Sequence, residues 1–238
     1  IGIGRDFRNE FECVGKYFDA ASEKELQTAL NVIITRTLNP TTMQVNLLDT
    51  EYQPTETNVN MTFYDMETGK VKYNLVHTIN AKGLPETLDV DPLMKYRIVA
   101  HTIPPVTKDS VRIVAGIHNT IGLDTPQGYL AFKTNSASTI RFLPCIIRKH
   151  GEPYTLYVQQ FDQTERYLTG LYDVEILCLP RLISERVDIR QSQTTTIEIP
   201  LPGTVIMEKP SYGYGRLLLA DPESGLIPIY PLTDKADQ

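Results

Sequence analysis

The chain has 238 residues, a formal net charge of −6, 22% charged residues and 41% hydrophobic residues. This balance is typical of globular domains with packed cores. Because binding to phosphate groups needs a basic surface, the acidic balance and the lack of any Lys/Arg-rich run argue against nucleic acid or an anionic membrane as a partner. No apolar run approaches the roughly 18–20 residues of a membrane-spanning helix.

Residues 1–39 differ in their pattern of apolar and polar residues from the rest of the chain and are predicted to form a short α/β segment. Ile1–Gly4 is typical of a short buried strand that ends in a glycine turn. The following segment, Glu10–Ala20, is predicted to be a connection that ends in a second strand. The fold class predicted for the whole chain is mainly β, with tandem antiparallel β-sandwich modules behind this strand–helix segment.

A helix is predicted over about residues 22–37. Ser22 and Glu25 have the spacing of a capping box, in which each side chain accepts a hydrogen bond from the backbone of the other residue. Asn39-Pro40 ends the pattern, because the residue before a proline disfavours helical backbone. The apolar residues that follow at helical spacing, and so predict an amphipathic helix, are Leu26, Leu30, Ile33 and Ile34.

The rest of the chain contains an internal repeat. The stretches Tyr96–Pro126 and Tyr172–Pro202 align without a gap at an offset of 76 residues, with seven of 31 positions identical. Chance would give about two at average residue frequencies. The identical pairs are Tyr96/Tyr172, Pro104/Pro180, Val111/Val187, Ile113/Ile189, Thr120/Thr196, Ile121/Ile197 and Pro126/Pro202. We therefore expect one module to be used more than once.

Three β-rich regions follow from this repeat: a sandwich over 40–133, a second over 134–208, and the opening hairpin of a truncated third copy over 209–238. The first region alternates apolar and polar residues in about seven segments, with turn signals every 8–12 residues, as antiparallel sandwiches do. In the second region we predict strands at Ile140–Arg148, Tyr154–Phe161, Tyr172–Leu179, Glu185–Arg190 and Thr195–Ile199. This copy is shorter, which predicts the loss of one hairpin.

The strand, the Gly15-Lys16-Tyr17-Phe18-x-Ala20 sequence and the capped helix resemble the C-terminal end of a von Willebrand factor A (VWA) domain. That family is a doubly wound α/β fold which often binds a ligand through a metal held at an Asp-x-Ser-x-Ser loop. No such loop occurs in this sequence, so no metal ligands carry over and no cofactor is predicted. An unrelated strand–helix that packs on the next module is the alternative.

The pattern Leu168-Thr169-Gly170-Leu171-Tyr172-x-Val174, with a later Val187-x-Ile189 strand and a Thr-rich strand, resembles carboxypeptidase-regulatory or transthyretin-like sandwiches. Immunoglobulin-like sandwiches show a similar pattern. Tandem sandwiches behind a VWA domain resemble bacterial cell-envelope proteins of the VWA-containing class. The resemblance implies adhesion-type protein binding in an extracytoplasmic location, the periplasm or the cell surface.

No catalytic motif is found, and we predict no catalytic residues and no enzyme activity. The four histidines, His77, His101, His118 and His150, lack a second ligand at metal-binding spacing. Asp89 and Asp91 are compatible with calcium, although two acidic residues before a proline more often form a turn. Cys145 and Cys178 are compatible with a disulfide; buried free thiols on strands are the favoured interpretation.

Tyrosine provides the candidate binding residues. The chain has 13 tyrosines and no tryptophan, and tyrosine rings serve both sheet faces and binding surfaces. Tyr212 and Tyr214, in a Tyr-Gly-Tyr-Gly sequence outside the repeat, are the predicted partner-binding residues.

Three functions remain open at this point. The first is a non-enzymatic binding or scaffolding protein with a protein partner. The alternative is a carbohydrate-binding accessory module of a larger surface enzyme or uptake system. The third is a hydrolase whose catalytic domain lies elsewhere.

Overall fold

A computed structural model describes residues 22–134, 143–200, 203, 205–208, 212–222 and 224–234, without the side chains of 36–38. The strand predicted at Ile1–Gly4 and the segment Glu10–Ala20 lie outside these residues. The chain divides into two compact units, Ile1–Thr125 and Pro126–Gln238. The described part is mainly β, as predicted. Its helix is not long and apolar enough to cross a membrane.

The predicted helix is confirmed as α1 (Glu23–Leu38), with Ser22 as its N-cap. The capping box forms, since the Ser22 amide donates to Glu25 Oε2 at 3.0 Å and the Glu25 amide donates to Ser22 Oγ at 3.3 Å. At the other end the Asn39 amide donates to the Thr35 carbonyl at 2.7 Å. Helix start and stop are therefore local consequences of the residues the sequence places there.

The C-terminal turn of α1 approaches the loop before the last strand of the first unit. Gly116 in that loop has φ of 76°, and a Cβ atom there would lie 2.3 Å from Thr35 Cγ2. Glycine is thus required both by its backbone conformation and by the close approach. The apolar stripe of the helix is not fully covered, because Leu26, Leu30 and Ile34 are exposed.

Seven strands are described in the first unit: β1 (Thr42–Leu48), β2 (Val59–Asp65), β3 (Val71–His77), β4 (Leu88–Asp89), β5 (Lys95–Ala100), β6 (Val106–Arg112) and β7 (His118–Asp124). They form sheets of order β4-β1-β7 and β3-β2-β5-β6. All pairs are antiparallel except β1 with β7, which is parallel.

The core of this unit lies between its two sheets. Alternate residues of β1, among them Met43, Val45 and Leu47, are buried in one cluster with Met61 and Phe63 of β2. This alternation is what a strand with one covered face predicts. The first unit is therefore a sandwich.

The second unit contains β8 (Gln127–Thr134), β9 (Pro144–Lys149), β10 (Tyr157–Gln160), β11 (Glu165–Leu168), β12 (Gly170–Ile176), β13 (Leu182–Ile189), β14 (Thr194–Ile199), β15 (Gly215–Asp221) and β16 (Gly225–Leu232). Its first seven strands form sheets of order β11-β8-β14 and β10-β9-β12-β13, the same order as in the first unit. The parallel pair recurs too, between β8 and β14.

Backbone features recur at the 76-residue offset found in the sequence. The prolines Pro104 and Pro180 both follow cis peptide bonds. Ser110 and Arg186, in β6 and β13, have φ of 58° and 56°. A register irregularity follows Tyr96 in β5 and Tyr172 in β12. The repeat in residues is therefore accompanied by a repeat in backbone conformation.

Two strands of the second unit differ from the sequence-based expectation. The alignment covered only the closing strands, so it put the boundary between copies near residue 133, whereas the structure divides the chain after Thr125. β8 pairs within the second unit, and β11 takes the place that β4 has in the first. Each described strand of the first unit thus has a counterpart in the second unit. The prediction that the second copy lacks one hairpin is therefore wrong. The strand predicted at Ile140–Arg148 is described from Pro144 onwards.

Strands β15 and β16 form a separate two-stranded antiparallel sheet. They confirm the hairpin that the sequence predicts after residue 209. Their connection contains Gly225 with φ of 77°, the conformation that favours glycine in tight turns.

Candidate interaction surface

The four histidines hold strands and turns together. His77 is buried, and its Nε2 lies 3.0 Å from the Val45 carbonyl oxygen of the opposite sheet. A ring nitrogen of His101 lies 2.8 Å from Thr62 Oγ1, and a ring nitrogen of His118 lies 2.8 Å from Thr42 Oγ1. The Nδ1 atom of His150 lies 2.8 Å from Asp173 Oδ1. Within the described residues no group of three or more His, Cys, Asp or Glu side chains could hold a metal.

Two acidic side chains of β12 are engaged in local networks. Hydrogen bonds from Arg148 and Arg181 lower the pKa of Glu175. Burial raises the pKa of Asp173, but hydrogen bonds from the Arg186 amide and His150 outweigh this and lower it. Both carboxylates are therefore charged at neutral pH and accept hydrogen bonds in positions that stabilise the four-stranded sheet.

Asp89 and Asp91, considered above for calcium, lie at the end of β4. The Asp89 carbonyl accepts a hydrogen bond from the Tyr73 hydroxyl at 2.6 Å. Asp91 is buried; its Oδ1 accepts from the Leu93 amide at 3.1 Å, and its amide donates to the Tyr96 hydroxyl at 2.9 Å. These contacts are those of a turn before Tyr96, with the aspartate side chain as its cap.

Cys145 and Cys178 are free thiols. Burial, with a smaller contribution from Cys178, raises the pKa of Cys145 to about 12. The Cys178 thiol is partly exposed and donates to the Pro180 carbonyl at 3.0 Å. The interpretation as buried free thiols on strands thus holds for Cys145 in β9, whereas Cys178 is a free thiol that is partly exposed and lies beyond the end of β12.

An open groove of about 420 Å³ lies on the outer face of the β3-β2-β5-β6 sheet. Its lining includes Tyr64, Arg97, Val99 and Thr107. Arg97 forms an ion pair with Asp109 in which both side chains are about half exposed. Such exposed pairs contribute little to stability.

The predicted partner-binding residues Tyr212 and Tyr214 lie two positions apart in the segment that leads into β15. They are 78% and 86% exposed. Tyrosine rings in this setting present a large apolar face and a polar hydroxyl at low entropic cost. The structure therefore places both side chains where a partner can reach them.

The hairpin that follows carries further exposed apolar side chains on both of its faces. We define the hairpin surface as Tyr212, Tyr214, Leu218, Leu219, Leu226, Ile227 and Tyr230, all of them exposed. Leu219 pairs with Ile227 across the hairpin, whereas Leu218 pairs with Pro228 on the other face. An exposed apolar patch of this kind is typical of an interaction site.

The leucines and isoleucine of this surface were not among the predicted site residues. The signal that could have found them is the lack of a polar face, because apolar residues occupy both alternation phases of Arg216–Asp221 and Gly225–Leu232. A strand with two apolar faces is normally covered by other elements on both sides. In β15 and β16, apolar side chains stay exposed on both faces.

No protein-family model and no curated protein matches the chain. Six chains of solved structures align with it, among them three at low similarity. One is the Bacillus anthracis TIE protein, with 11% identity over 67% of this chain and 34% of that protein, at a TM-score of 0.27.

The second is GBS52, the minor pilin of the Gram-positive pathogen Streptococcus agalactiae, with 11% identity over 69% of this chain and 98% of that protein, at a TM-score of 0.30. The third is a leucine-rich repeat protein from Bacteroides thetaiotaomicron, with 13% identity over 68% of this chain and 26% of that protein, at a TM-score of 0.23. In two of the three cases the chain thus spans about a third or less of the other protein. These TM-scores do not establish a common fold.

Proposed function

We propose that the protein is a non-enzymatic, extracytoplasmic scaffolding protein whose β-sandwich modules support protein–protein assembly. The observation that carries this proposal is the hairpin surface. It gathers seven exposed apolar or aromatic side chains on a segment of about twenty residues, whereas each of the two sandwiches buries its own apolar residues. Interaction sites between proteins are enriched in such aromatic and aliphatic side chains and depleted in acidic ones.

The location outside the cytoplasm and the adhesion-type role rest on sequence resemblance. We include in the proposal that residues 1–39 are the end of a VWA-type unit, of which α1 is the closing helix. Residues 40–208 are two copies of one sandwich, and residues 209–238 open a third. In this arrangement the VWA-type unit presents a ligand site, while the sandwiches form a stalk or assembly surface.

Carbohydrate binding is the alternative, and the exposure of Tyr212 and Tyr214 is the specific observation in its favour. Aromatic rings can stack on the apolar faces of sugars. The hairpin itself favours a protein partner, because Leu218, Leu226 and Ile227 offer no hydrogen-bonding side chain to a polar ligand.

The test is affinity capture of cell-envelope proteins from the source organism on the immobilised chain. The test variant changes Leu219→Ser and Ile227→Ser together, since these residues pair on one face of the hairpin. The matched control is Tyr52→Ser, a substitution at an exposed residue of the first unit. We expect one defined partner to be retained by the control and lost by the double variant.

A glycan array run in parallel separates the two candidates. Glycan binding that is abolished by Tyr212→Ala with Tyr214→Ala, without a captured protein, would replace the scaffolding proposal by the carbohydrate-binding one. Capture that survives the hairpin double variant would show that assembly uses another surface.

A further inference from the structure

The open groove of the first unit lies at a place where the second unit carries a network of charged side chains. β5 and β12 align at the 76-residue offset, so Val99 and Glu175 occupy equivalent positions. The pairing of β2 with β5 and of β9 with β12 makes Tyr64 and Arg148 equivalent as well. The two copies therefore differ in their side chains at one place on the same arrangement of strands.

In the second unit this place is covered. Arg148 donates a hydrogen bond to Glu175 Oε2 at 2.8 Å, and Arg181 forms an ion pair with the other carboxylate oxygen. Glu175 is buried, so the two guanidinium groups lie across it. The equivalent residues of the first unit, Tyr64 and Val99, are both partly exposed. The first unit is thus open where the second is closed.

The charges at the groove are already compensated. Of the residues that line it, only Asp65 and Arg97 are charged. The Asp65 carboxylate accepts hydrogen bonds from the Glu67 amide at 2.9 Å and from the Thr68 hydroxyl at 2.7 Å, within the hairpin turn. Arg97 is paired with Asp109 of β6. A charged ligand would therefore find no unpaired charge of opposite sign, which favours a neutral ligand.

The polar groups at the groove can both donate and accept hydrogen bonds. Arg97 Nε donates to Asp109 Oδ1, which leaves the terminal guanidinium nitrogens as donors and the second carboxylate oxygen as an acceptor. The hydroxyls of Tyr64 and Thr107 can each donate and accept. This mixture is complementary to a ligand rich in hydroxyl groups, because each hydroxyl is itself a donor and an acceptor.

The floor of the groove is apolar and lies on the face of the sheet. Val99 and Met66 line it together with Tyr64, and Met66 is held in place by a hydrogen bond from the Ser110 amide to its sulfur at 3.0 Å. β2 and β5 each pair with a strand on both sides, so few main-chain groups are left for an extended polypeptide, in contrast to a sheet edge. Recognition at this place must therefore use side chains.

We infer that this groove binds a neutral carbohydrate. A sugar ring stacks on Tyr64, its C–H groups contact Val99 and Met66, and its hydroxyls bond to Arg97 and Asp109. The groove volume of about 420 Å³ lies within the roughly 300–1,000 Å³ of small-ligand sites. The groove shares no residue with the hairpin surface, so carbohydrate binding here is a function additional to the proposed assembly role and does not rest on it.

The test probes the full chain with an array of neutral oligosaccharides of glucose, galactose, mannose and N-acetylglucosamine, together with their sialylated and sulfated forms. We expect the neutral members to bind more strongly than their charged forms. NMR with the strongest neutral oligosaccharide in solution should then shift the amide signals of Tyr64, Val99 and Thr107. No binding to any neutral member, equal or stronger binding to the charged forms, or shifts at Tyr212 and Tyr214 alone would overturn the inference.

Tyrosine variants test the stacking contact. Tyr64→Ala should weaken binding of that oligosaccharide at least about tenfold, the order expected when the contact surface of a tyrosine is lost. Tyr64→Phe keeps the ring and should stay within about threefold of the original chain. The matched control is Tyr52→Ala, at an exposed tyrosine of the same unit outside the groove, which should bind as the original chain does. Equal affinities of Tyr64→Ala and Tyr52→Ala would show that the groove is not the site.

Two further variants test the shape and the charge of the groove. Tyr64→Arg with Val99→Glu copies the closed face of the second unit, whose strands carry this pair in the folded protein; it should keep the melting temperature of the first unit and lose oligosaccharide binding. Asp109→Ala leaves Arg97 without its partner, so the signal of the sialylated forms should rise relative to that of the neutral ones. Unchanged binding by the double variant, or an unchanged neutral preference in Asp109→Ala, would contradict the assignment. Loss of a captured envelope protein in Tyr64→Ala would show that a protein occupies the groove instead.

Discussion

A buried polar network in the second unit gives the sharpest stability prediction. Tyr167 of β11 is fully buried, and its hydroxyl donates to Gln159 Oε1 of β10 at 2.9 Å. Gln159 is also fully buried, and its Nε2 donates to the carbonyl oxygens of Leu130 at 2.9 Å and Gln163 at 2.8 Å. Tyr167 and Gln159 thus join the two sheets of this sandwich through buried hydrogen bonds that are shielded from water.

Tyr167→Phe removes one donor and leaves Gln159 Oε1 buried without it. Such an unsatisfied group costs about 1–3 kcal/mol. Gln159→Leu leaves the Tyr167 hydroxyl and two carbonyl oxygens without their partner, so we expect a cost at the upper end of that range. In the double variant the hydroxyl and Oε1 disappear together. Its cost should therefore be lower than the sum of the single costs, by about 1 kcal/mol.

The assay is native-state hydrogen exchange of the slowest amides in β8–β14, which reports the unfolding free energy of this unit separately from the first. Single variants that each cost less than about 0.5 kcal/mol, or a double variant whose cost equals the sum within about 0.5 kcal/mol, would refute the reasoning. That result would mean that the two side chains do not act as one buried network.

Three further predictions concern other parts of the chain. Burial lowers the pKa of His77 below its ordinary value, so the first unit should lose stability as pH falls below about 6.5, where the unfolded chain binds the proton first; urea unfolding should show this dependence, and His77→Gln should remove it. Gly116→Ala should cost more stability than Gly83→Ala by thermal unfolding, because both have positive φ but only Gly116 lacks space for a Cβ; equal costs would exclude the steric contribution. In the native chain, iodoacetamide should alkylate Cys178 faster than Cys145, whose raised pKa and burial keep it as a protected thiol; equal rates in peptide mass mapping would contradict this.

Features set by neighbouring residues could be predicted from the sequence. The capping box of Ser22 and Glu25 and the hairpin turn that ends at Gly225 depend on contacts within a few positions, and both form. Strands with one covered face, such as β1 and β5, show their alternation directly.

Features that depend on residues distant in the sequence could not be predicted. The strand β8 has buried residues on both of its faces, and at Gly128 a Cβ atom would lie 2.1 Å from the Arg190 carbonyl oxygen. That close approach depends on a loop some sixty residues away, so local pattern does not reveal the strand. The exposure of Leu218 and Leu226 could not be predicted either, because an apolar strand has the same sequence pattern whether or not another strand covers it.

The parallel pairing of β1 with β7 has a mechanical consequence. These strands open and close the first sandwich, and their residues pair from Thr42 with His118 to Leu48 with Asp124. Tension applied through the two ends of the module pulls them in opposite directions along their common axis. The ladder is then loaded in shear, and its hydrogen bonds share the force, whereas a hairpin pulled at its ends opens one bond at a time. Since β8 and β14 repeat the geometry, single-molecule stretching of the full chain should show two rupture events at high force.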